Sequence, residues 1–469
     1  MCTDNQEIIN KIKEKPYRMK FHLMPPMGWM NDPNGSCFFN HAYHVFFQYS
    51  PQEVEGGLKC WGHYRSGNLV NWEYMGIAIR PDTPEEKDGA YSGCGFTQDG
   101  TLELFYTGNV KKQGDYDYIT EGREANIIYT ESKDGIHFSE KEVVLQNIDY
   151  PQGYTCHVRD PLVWKEDDRY YMILGARKGS KDQSSHQGTI LLYSSRDKKH
   201  WEYIREISTR NPFGYMWECP DYFVLQNQPV IAACPQGVEE EEYRFLNSDQ
   251  SGYFMMQDTI WKQEFLEESN FYEWDLGFDF YAPQSFLAPD GRRLLIGWVG
   301  LPQPEYTNEH TVKEGWQHCL SLPRELSLRD GQIYQQPARE LEMLRGKKCM
   351  VEDGYVKINS GSFDAVFVFQ SQYSHKKIMI GEDLVFEYTN GIATLHFLNE
   401  SGEGRRERRT VMNGLQNLRI IQDVSIVEIF ANDGKYVFTT RYYPENVNAT
   451  SLITEARLST ADVWEINML

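Results

Sequence analysis

An internal repeat constrains the fold of this chain more than any other feature. Five segments share one plan, in which a polar residue beside Pro or Gly precedes an aromatic strand, a polar hairpin and a second apolar strand. When one residue of each segment is taken as equivalent, the steps are 60, 68, 58 and 64 residues. A repeat of this length is too long for a solenoid rung and fits a four-stranded propeller blade. The equivalent residues are Asp32, Ser92, Asp160, Glu218 and Ala282.

The repeat predicts an all-β chain of two domains. Residues 1–335 are predicted to form a five-bladed β-propeller with a short N-terminal extension; the alternative is a generic all-β chain whose hairpins look alike. Residues 336–348 are a predicted linker that contains the helix-like stretch "QPARELEMLRG". Alternating runs and Asn-Gly-type turns in residues 349–469 predict a C-terminal β-sandwich with a structural or dimer-forming role.

Equivalent residues of successive blades converge in a propeller, because the first strand of each blade lines the central axis. The stretch "NDPNG" at residues 31–35 is interpreted as a buried turn at the mouth of this axis. The converging side chains include three carboxylates and one hydroxyl, those of Asp32, Asp160, Glu218 and Ser92. Mutual repulsion and burial must raise the pKa of at least one of these acids.

The composition of the chain indicates which classes of molecule it is not expected to bind and in which compartment it is expected. The formal net charge of −21 disfavours nucleic acid and anionic membranes, because phosphates are repelled. No stretch approaches about 18 apolar residues, and the N-terminus lacks an apolar signal region. The nine cysteines show no C-x-x-C spacing and indicate free thiols, which predicts a cytoplasmic protein. One basic stretch is interpreted as a solvated loop; it contains Arg405, Arg406, Arg408 and Arg409.

A cluster of carboxylates either binds a hard cation or performs acid–base chemistry. The three acids lie about 60 residues or more apart on predicted strands, unlike the ligands of a calcium loop, and the sequence contains no zinc motif. No metal and no other cofactor is therefore expected. A pair of carboxylates is the usual equipment for cleaving a glycosidic bond.

The local sequence suggests a different role for each acid. Apolar neighbours of Glu218 favour a raised pKa and the role of the acid. Asp32, beside the N–H groups of its predicted turn, is expected to remain ionised and to act as the nucleophile. Asp160 is expected to be held in its charged form by the adjacent Arg159.

Three motifs carry a family resemblance: "WMNDPNG" (29–35), "RDP" (159–161) and "ECPD" (218–221) resemble the signatures of glycoside hydrolase family 32, the β-fructofuranosidases. The likeness spans nearly the whole chain and implies a propeller followed by a sandwich, with retaining double displacement on a terminal β-linked fructofuranosyl group. It implies Asp32 as nucleophile, Glu218 as acid/base and Asp160 as transition-state stabiliser. The substrate-binding residues it implies are Asn31, Gln48, Trp61, Tyr91, Ser92, Arg159, Tyr281 and Trp298.

Within that family, "GLKCWGHY", "FGYMWECPD" and "EGWQHCLSLPRELSL" most resemble the cytoplasmic bacterial sucrose and sucrose-6-phosphate hydrolases. The resemblance implies exo-acting hydrolysis of the terminal β-fructofuranosyl bond of sucrose or its 6-phosphate. Alternatives are an exo-fructanase on short inulin- or levan-type oligosaccharides, a carbohydrate-binding propeller without catalysis, and an inverting hydrolase of arabinose polymers.

Two departures from the family pattern lie near the expected mouth of the pocket. Gly56 stands where many relatives carry a bulky ring, and "YSGCGF" at 91–96 replaces the commoner Phe-Ser-Gly-Ser. Both departures are expected to affect which leaving group the site prefers. The sequence does not locate a pocket of Lys, Arg or His side chains that could bind a phosphate. The expected partners are a small saccharide substrate and, as a candidate, a second copy of the chain bound through the sandwich.

Overall fold

The computed structural model describes residues 2–180, 185–370 and 374–467. Within these ranges the strands form seven sheets, and no helix is long and apolar enough to cross a bilayer. The prediction of an all-β chain is confirmed. The helices are short: α1 (Gln6–Lys13), α2 (Glu309–Lys313) and the 3-10 segments Pro84–Glu86, Asn147–Asp149, Glu268–Asn270, Arg339–Leu344 and Glu400–Gly402.

Five sheets follow one another along the first part of the chain. The first two contain β1 (Gly28–Phe39), β2 (Ala42–Ser50), β3 (Cys60–Ser66), β4 (Trp72–Ile79), then β5 (Ala90–Gln98), β6 (Thr101–Lys111), β7 (Arg123–Ser132) and β8 (Glu142–Leu145). The next two contain β9 (Tyr154–Glu166), β10 (Arg169–Lys178), β11 (Gln187–Ser195), β12 (Glu202–Ile207), then β13 (Met216–Leu225), β14 (Gln228–Gln236), β15 (Gly252–Met255) and β16 (Phe271–Glu273). The fifth region contains β17 (Tyr281–Leu287), β18 (Arg293–Val299), β19 (Trp316–Gln317), β20 (Cys319–Leu320), β21 (Arg324–Arg329) and β22 (Gln332–Pro337).

These five sheets form a closed ring. The innermost strands β1, β5, β9, β13 and β17 each pack on the next, and β17 also packs on β1. The strand β19 leaves the fifth region and joins the first sheet by parallel pairing, with Gly28 opposite Trp316. Because a strand from within the fifth region pairs with the first blade, the ring is closed by hydrogen bonds. The architecture is the five-bladed β-propeller that the repeat predicts.

Apolar side chains fill the spaces between neighbouring blades. Phe105 of the second blade and Leu174 of the third belong to one buried cluster, and Ile190 and Phe254 join the third blade to the fourth. Strand side chains alternate between the two faces of a sheet, so each blade presents apolar residues to both neighbours. Full burial of one such side chain contributes about 1.5–3 kcal/mol, and the blades therefore hold the inner strands in fixed positions.

Two six-stranded sheets form a β-sandwich after the propeller. The Asn390-Gly391 turn has φ values of 51° and 91° and joins two paired strands, which confirms a predicted hairpin. Phe367 and Ile420 of one sheet and Phe386 of the other lie in the same buried cluster. The strands are β23 (Arg345–Lys348), β24 (Tyr355–Ile358), β25 (Ser362–Phe369), β26 (His375–Ile380), β27 (Leu384–Thr389), β28 (Ile392–Phe397), β29 (Glu407–Val411), β30 (Asn417–Asp423), β31 (Ile426–Ala431), β32 (Tyr436–Arg441), β33 (Thr450–Glu455) and β34 (Leu458–Ile466). Of these, β23, β25, β30, β31, β32 and β34 form one sheet.

The segment between propeller and sandwich differs from the helix-like linker that the sequence suggests. Pro337 ends β22, a 3-10 segment covers Arg339–Leu344, and β23 begins at Arg345 and pairs with β34. Strand pairing on both sides leaves too few residues for a full helix, which overrides the helix propensity of this stretch. The domain boundaries at 335 and 349 stay predictions.

Buried ion pairs join the sandwich to the propeller and correct the interpretation of the basic stretch as a solvated loop. Arg405 is 2% exposed, and its Nε and Nη2 donate to Asp279 Oδ2 and Oδ1, both at 2.7 Å. Arg408 Nε donates to Asn247 Oδ1 at 2.8 Å. Arg405 and Arg408 have structural roles because each has a partner that is distant in sequence. The local sequence cannot reveal such partners. Arg406 is exposed, as expected.

Candidate active site

Each of the five inner strands carries a β-bulge near its beginning. The register with the following strand shifts at residues 30–33, 90–93, 159–162, 218–221 and 281–284. A bulge inserts residues that have no ladder partner and re-aims their side chains, and bulges are common beside active sites. The stretch 31–35, interpreted from sequence as a turn, is part of β1 and owes its kink to such a bulge.

The bulges correct the predicted equivalence of Glu218 with Asp160. In blades three to five the residue before a proline has a positive φ, at Asp160 (59°), Cys219 (47°) and Ala282 (47°). Cys219 therefore occupies the position of Asp160, and Glu218 lies one residue earlier, at the position of Arg159 and Tyr281. The prediction was wrong because it matched the acidic residue instead of the residue before proline.

Asp32 is held by side-chain donors on both carboxylate oxygens. Asn31 Nδ2 donates to Oδ1 at 3.0 Å, and Gln48 Nε2 donates to Oδ2 at 3.3 Å. The hydroxyl of Ser92 also donates to Oδ2. The indole N–H of Trp29 donates to Asn31 Oδ1 at 2.7 Å, which orients the amide of Asn31. The sequence predicts backbone N–H groups of a turn in this role, whereas the donors in the structure are side chains.

Glu218 is surrounded by three polar side chains. Its Oε2 accepts hydrogen bonds from the Tyr281 hydroxyl and from Gln236 Nε2, both at 3.0 Å. Its Oε1 lies 3.5 Å from Arg159 Nη1, and its side chain is 17% exposed. Burial raises the pKa of Glu218; the charge of Arg159 lowers it and the charge of Asp32 raises it further. A carboxyl group with these properties can hold a proton and still reach solvent.

Asp160 is the most enclosed of the three acids. Its Oδ2 accepts a hydrogen bond from the backbone N–H of Cys219 at 2.9 Å, and its own N–H donates to Thr107 Oγ1 at 2.9 Å. Burial, followed by the charge of Glu218, raises the pKa of Asp160 to about 7. The expectation that Arg159 keeps Asp160 charged is wrong, because burial and repulsion outweigh the guanidinium, which lies against Glu218.

The thiol of Cys219 brings the acids into one place. Its Sγ lies 3.8 Å from Asp32 Oδ2 and 3.7 Å from Asp160 Oδ2. Cys219 is one of the apolar neighbours of Glu218 in the sequence, and neither Cys219 nor Gln236 was among the predicted site residues. The repeat held the signal for Cys219, since this residue precedes a proline as Asp160 does. No local pattern identifies Gln236, which reaches Glu218 across the β13–β14 pair.

Aromatic rings surround one side of the acids. The ring of Trp298 lies 5.9 Å from that of Trp29 and 6.3 Å from that of Tyr281, between centroids. Trp61 is fully buried, and its indole N–H donates to the backbone carbonyl of Tyr91 at 3.0 Å. Trp61 therefore supports Tyr91 from behind, whereas Tyr91 itself is partly exposed.

The departure at Gly56 lies beside this aromatic wall. A Cβ on Gly56 would stand 3.4 Å from Lys59 Nζ and 3.5 Å from the Trp29 ring. The Lys59 ammonium lies 4.9 Å from the centroid of that ring, and burial lowers its pKa to about 8. Since Trp29 orients Asn31, the small residue at 56 leaves room close to the site.

A small cavity lies among the inner strands beside Asp160 and Cys219. Its volume of about 20 Å³ is the room of roughly one water molecule. The cavity is lined by Pro33, Asn34, Ser92, Gly93, Asp160, Pro161, Leu162, Cys219, Pro220, Asp221, Ala282, Pro283 and Gln284.

Family models match most of this chain. The model "Glycosyl hydrolases family 32 N-terminal domain" matches residues 22–337, and "Glycosyl hydrolases family 32 C terminal" matches residues 384–465. The chain belongs to glycosyl hydrolase family 32. The match includes the residues of all five blades, and the resemblance expected from the three motifs is confirmed. The protein is therefore a glycoside hydrolase.

Similar proteins are found among curated relatives and solved structures. A sucrose-6-phosphate hydrolase of Bacillus subtilis (strain 168) is 35% identical over 96% of this chain and 94% of the relative. A raffinose invertase of Escherichia coli is 37% identical over 91% and 89%. The structure of sucrose-6-phosphate hydrolase from Lactobacillus gasseri has a TM-score of 0.87 at 29% identity, covering 98% of this chain and 95% of that one. A family 32 β-fructofuranosidase from Bombyx mori has a TM-score of 0.84 at 27% identity, with coverage of 98% and 97%.

The raised pKa of Asp160 predicts a pH-dependent effect of Asp160→Asn on stability. An acid whose pKa is higher in the folded state than its unfolded value of about 3.9 costs stability as pH rises from about 4 through 7. The amide removes this cost and can still accept from the Cys219 N–H. We expect the variant to have a larger free energy of unfolding than the parent protein at pH 8, by about 1–4 kcal/mol. Urea unfolding at pH 4 and 8 measures this, and an equal difference at both pH values would contradict it.

Proposed function

We propose that the protein is an exo-acting, retaining β-fructofuranosidase that hydrolyses the terminal β-fructofuranosyl bond of sucrose or sucrose-6-phosphate. The observation that carries the proposal is the convergence of Asp32 and Asp160 on the Cys219 thiol, with Glu218 one residue earlier and close enough for the charge of Asp32 to raise its pKa. The named activities of the relatives that match more than nine-tenths of this chain support the substrate class.

In the first step, a carboxylate oxygen of Asp32 attacks C2 of the fructosyl group and the bond from C2 to the bridging oxygen breaks. Glu218 donates its proton to that oxygen, so the glucosyl unit leaves as a neutral alcohol. The hydrogen bonds on both oxygens of Asp32 fix the direction of attack. A covalent fructosyl ester on Asp32 and an ionised Glu218 result.

In the second step, Glu218 takes a proton from a water molecule as the water oxygen attacks C2. The ester bond breaks, Asp32 leaves as a carboxylate, and fructose is released with its β configuration retained. Arg159, 3.5 Å from Glu218, stabilises the carboxylate that exists between the two steps. Asp160 is proposed to bind fructose hydroxyls and to stabilise the oxocarbenium-like transition state.

The fructose subsite is proposed to form around these acids. Polar contacts would come from Asn31, Gln48 and Ser92, which already form a network on Asp32. Trp298 would supply an aromatic wall, and Arg159 and Tyr281, both in contact with Glu218, would face the bond that breaks. Tyr91 would form the rim, with Trp61 as its support.

The exo-fructanase alternative has weaker support. Solved structures of a Cichorium intybus fructan exohydrolase and an Aspergillus awamori exo-inulinase are 20% identical to this chain, a level that shows the fold alone. A binding propeller without catalysis would be expected to lack one of the acids, and all three are present. We also propose a cytoplasmic location, supported by nine unpaired thiols, and keep the sandwich as the candidate surface for a homo-oligomer.

Comparison of kcat/KM for sucrose, sucrose-6-phosphate, 1-kestose and levanbiose tests the proposal. We expect sucrose or sucrose-6-phosphate to have the highest value, because the Bacillus subtilis relative, 35% identical over 96% of this chain, is named a sucrose-6-phosphate hydrolase. Higher kcat/KM on 1-kestose or levanbiose would favour the exo-fructanase. With methanol as acceptor, NMR should show the β-fructoside first; the inverted anomer would contradict double displacement.

A further inference from the structure

Three arginines and a histidine lie together beside Glu218. Arg159 contacts both Glu218 and His157. Its Nη1 is 3.5 Å from Glu218 Oε1, and its Nη2 contacts Nδ1 of His157. On the opposite side of the imidazole, Arg123 Nη1 lies 3.2 Å from His157 Nε2. The charge of Arg177 also acts on His157. We call Arg123, His157, Arg159 and Arg177 the basic cluster.

The hydrogen bonds inside the basic cluster cannot all be satisfied at once. A neutral imidazole has one acceptor nitrogen, whereas a guanidinium only donates. Both ring nitrogens of His157 face a guanidinium, so one of the two contacts joins donor to donor. In addition, Nε of Arg123 is buried and has no hydrogen-bond partner among the described residues. Arg177 Nε donates to His186 Nδ1 at 2.8 Å, and the backbone of Tyr118 accepts from His157. These acceptors leave Arg123 Nε without a partner, and an anion would supply one.

The net positive charge of the basic cluster also favours the binding of an anion. Among the described residues, the cluster makes one ion pair with a carboxylate, that of Arg159 with Glu218. The carboxylate whose charge acts on Arg177 is that of Asp117. When Glu218 is protonated for catalysis, three guanidinium charges face one carboxylate, leaving a surplus of two. A phosphate monoester carries nearly this charge with opposite sign at neutral pH.

The basic cluster lies on the leaving-group side of the proposed reaction. Glu218 protonates the bridging oxygen of the glucosyl unit, and the cluster begins at the guanidinium next to that acid. Arg177 stacks over the ring of Tyr215 at 4.5 Å, just before β13, which carries Glu218. A substituent on the far side of a glucosyl ring, one ring width from the bridging oxygen, would point toward the cluster.

We propose that Arg123, His157 and Arg177, with Arg159, form the binding site for a phosphate ester on the leaving-group sugar. This inference rests on the proposed function and makes sucrose-6-phosphate, with its phosphate on the glucosyl unit, the preferred substrate. The guanidinium forks would hold the phosphate oxygens by charge-assisted hydrogen bonds, which arginine forms in fixed geometry. The local surplus of positive charge opposes the −21 of the whole chain, which would repel this substrate.

Arg177→Gln and Arg123→Gln test the site through a ratio of activities. We expect each to lower kcat/KM on sucrose-6-phosphate by about 10- to 100-fold, the usual effect of one lost hydrogen bond to a charged group. The change on sucrose should be much smaller, so the ratio of the two values falls. Arg329→Gln, which removes an exposed arginine stacked on Tyr334 of the fifth blade, is the matched control and should leave the ratio unchanged.

Binding of glucose 6-phosphate and of glucose, measured by calorimetry on the same proteins, tests the site apart from catalysis. The parent protein should bind the phosphorylated sugar more tightly, and both arginine variants should lose that difference. An equal loss on sucrose and its phosphate would mean a structural role and overturn the inference, as would a parent that favours glucose. A parent that cleaves neither disaccharide yet binds glucose 6-phosphate through these arginines would contradict the proposed function and support the site.

Discussion

Asp32→Asn is expected to lower kcat on sucrose by on the order of 10⁴- to 10⁶-fold, since removal of a catalytic nucleophile has effects of this size. An amide cannot form the fructosyl ester, so the loss should be the same for every leaving group. The side chain keeps its shape, and with the amide oxygen in the place of Oδ2 the Ser92 hydroxyl and Gln48 Nε2 can still donate to it. A melting temperature close to that of the parent protein would show that the loss is chemical.

Glu218→Gln provides the comparison that separates the two roles. We expect kcat on sucrose to fall by about 10²- to 10⁴-fold, the usual contribution of a general acid. The loss should be much smaller for the first step on a fructoside with an activated phenol leaving group, which departs without a proton. If Asp32→Asn shows this rescue and Glu218→Gln does not, the roles of nucleophile and acid are reversed.

The repeat made the propeller predictable from sequence. Each blade needs an inner strand, a hairpin and outer strands, and this demand recurs every 58 to 68 residues with turn chemistry and apolar runs in phase. The acids of the site were predictable for the same reason, because inner strands meet on the axis. Asp32, Asp160 and Glu218 do converge, and Gln48 and Ser92 contact Asp32.

Features that depend on geometry were not predictable. A bulge changes which side chain faces the axis, and the number of residues that it inserts cannot be read from the sequence. Glu218 was therefore matched with Asp160, although it occupies the position of Arg159. The charge state of Asp160 depends on burial and on Glu218, whereas only Arg159 is adjacent in sequence. The basic cluster gathers Arg123, His157, Arg159 and Arg177 from three strands, and no single stretch displays it.

The buried pair of Arg405 and Asp279 joins residues 126 positions apart and carries the largest expected effect on stability. Besides its two bonds to Asp279, Arg405 donates to the Thr307 carbonyl at 3.0 Å and stacks over the Tyr306 ring at 4.0 Å. Asp279 is 0% exposed, so removal of Arg405 leaves a buried carboxylate without its countercharge, although the backbone N–H of Arg441 still donates to Oδ2 at 2.9 Å. The next residue, Arg406, is exposed and offers a matched control.

We therefore expect Arg405→Met to lower the free energy of unfolding by about 3–5 kcal/mol, the usual cost of leaving one member of a buried ion pair. Arg406→Met should change it by less than about 0.5 kcal/mol, as surface substitutions do. Combining Arg405→Met with Asp279→Asn should recover part of the loss, because the stranded charge is then gone. Urea unfolding followed by tryptophan fluorescence measures all three. Equal effects of the two Met variants would mean that the pair does not hold the sandwich to the propeller.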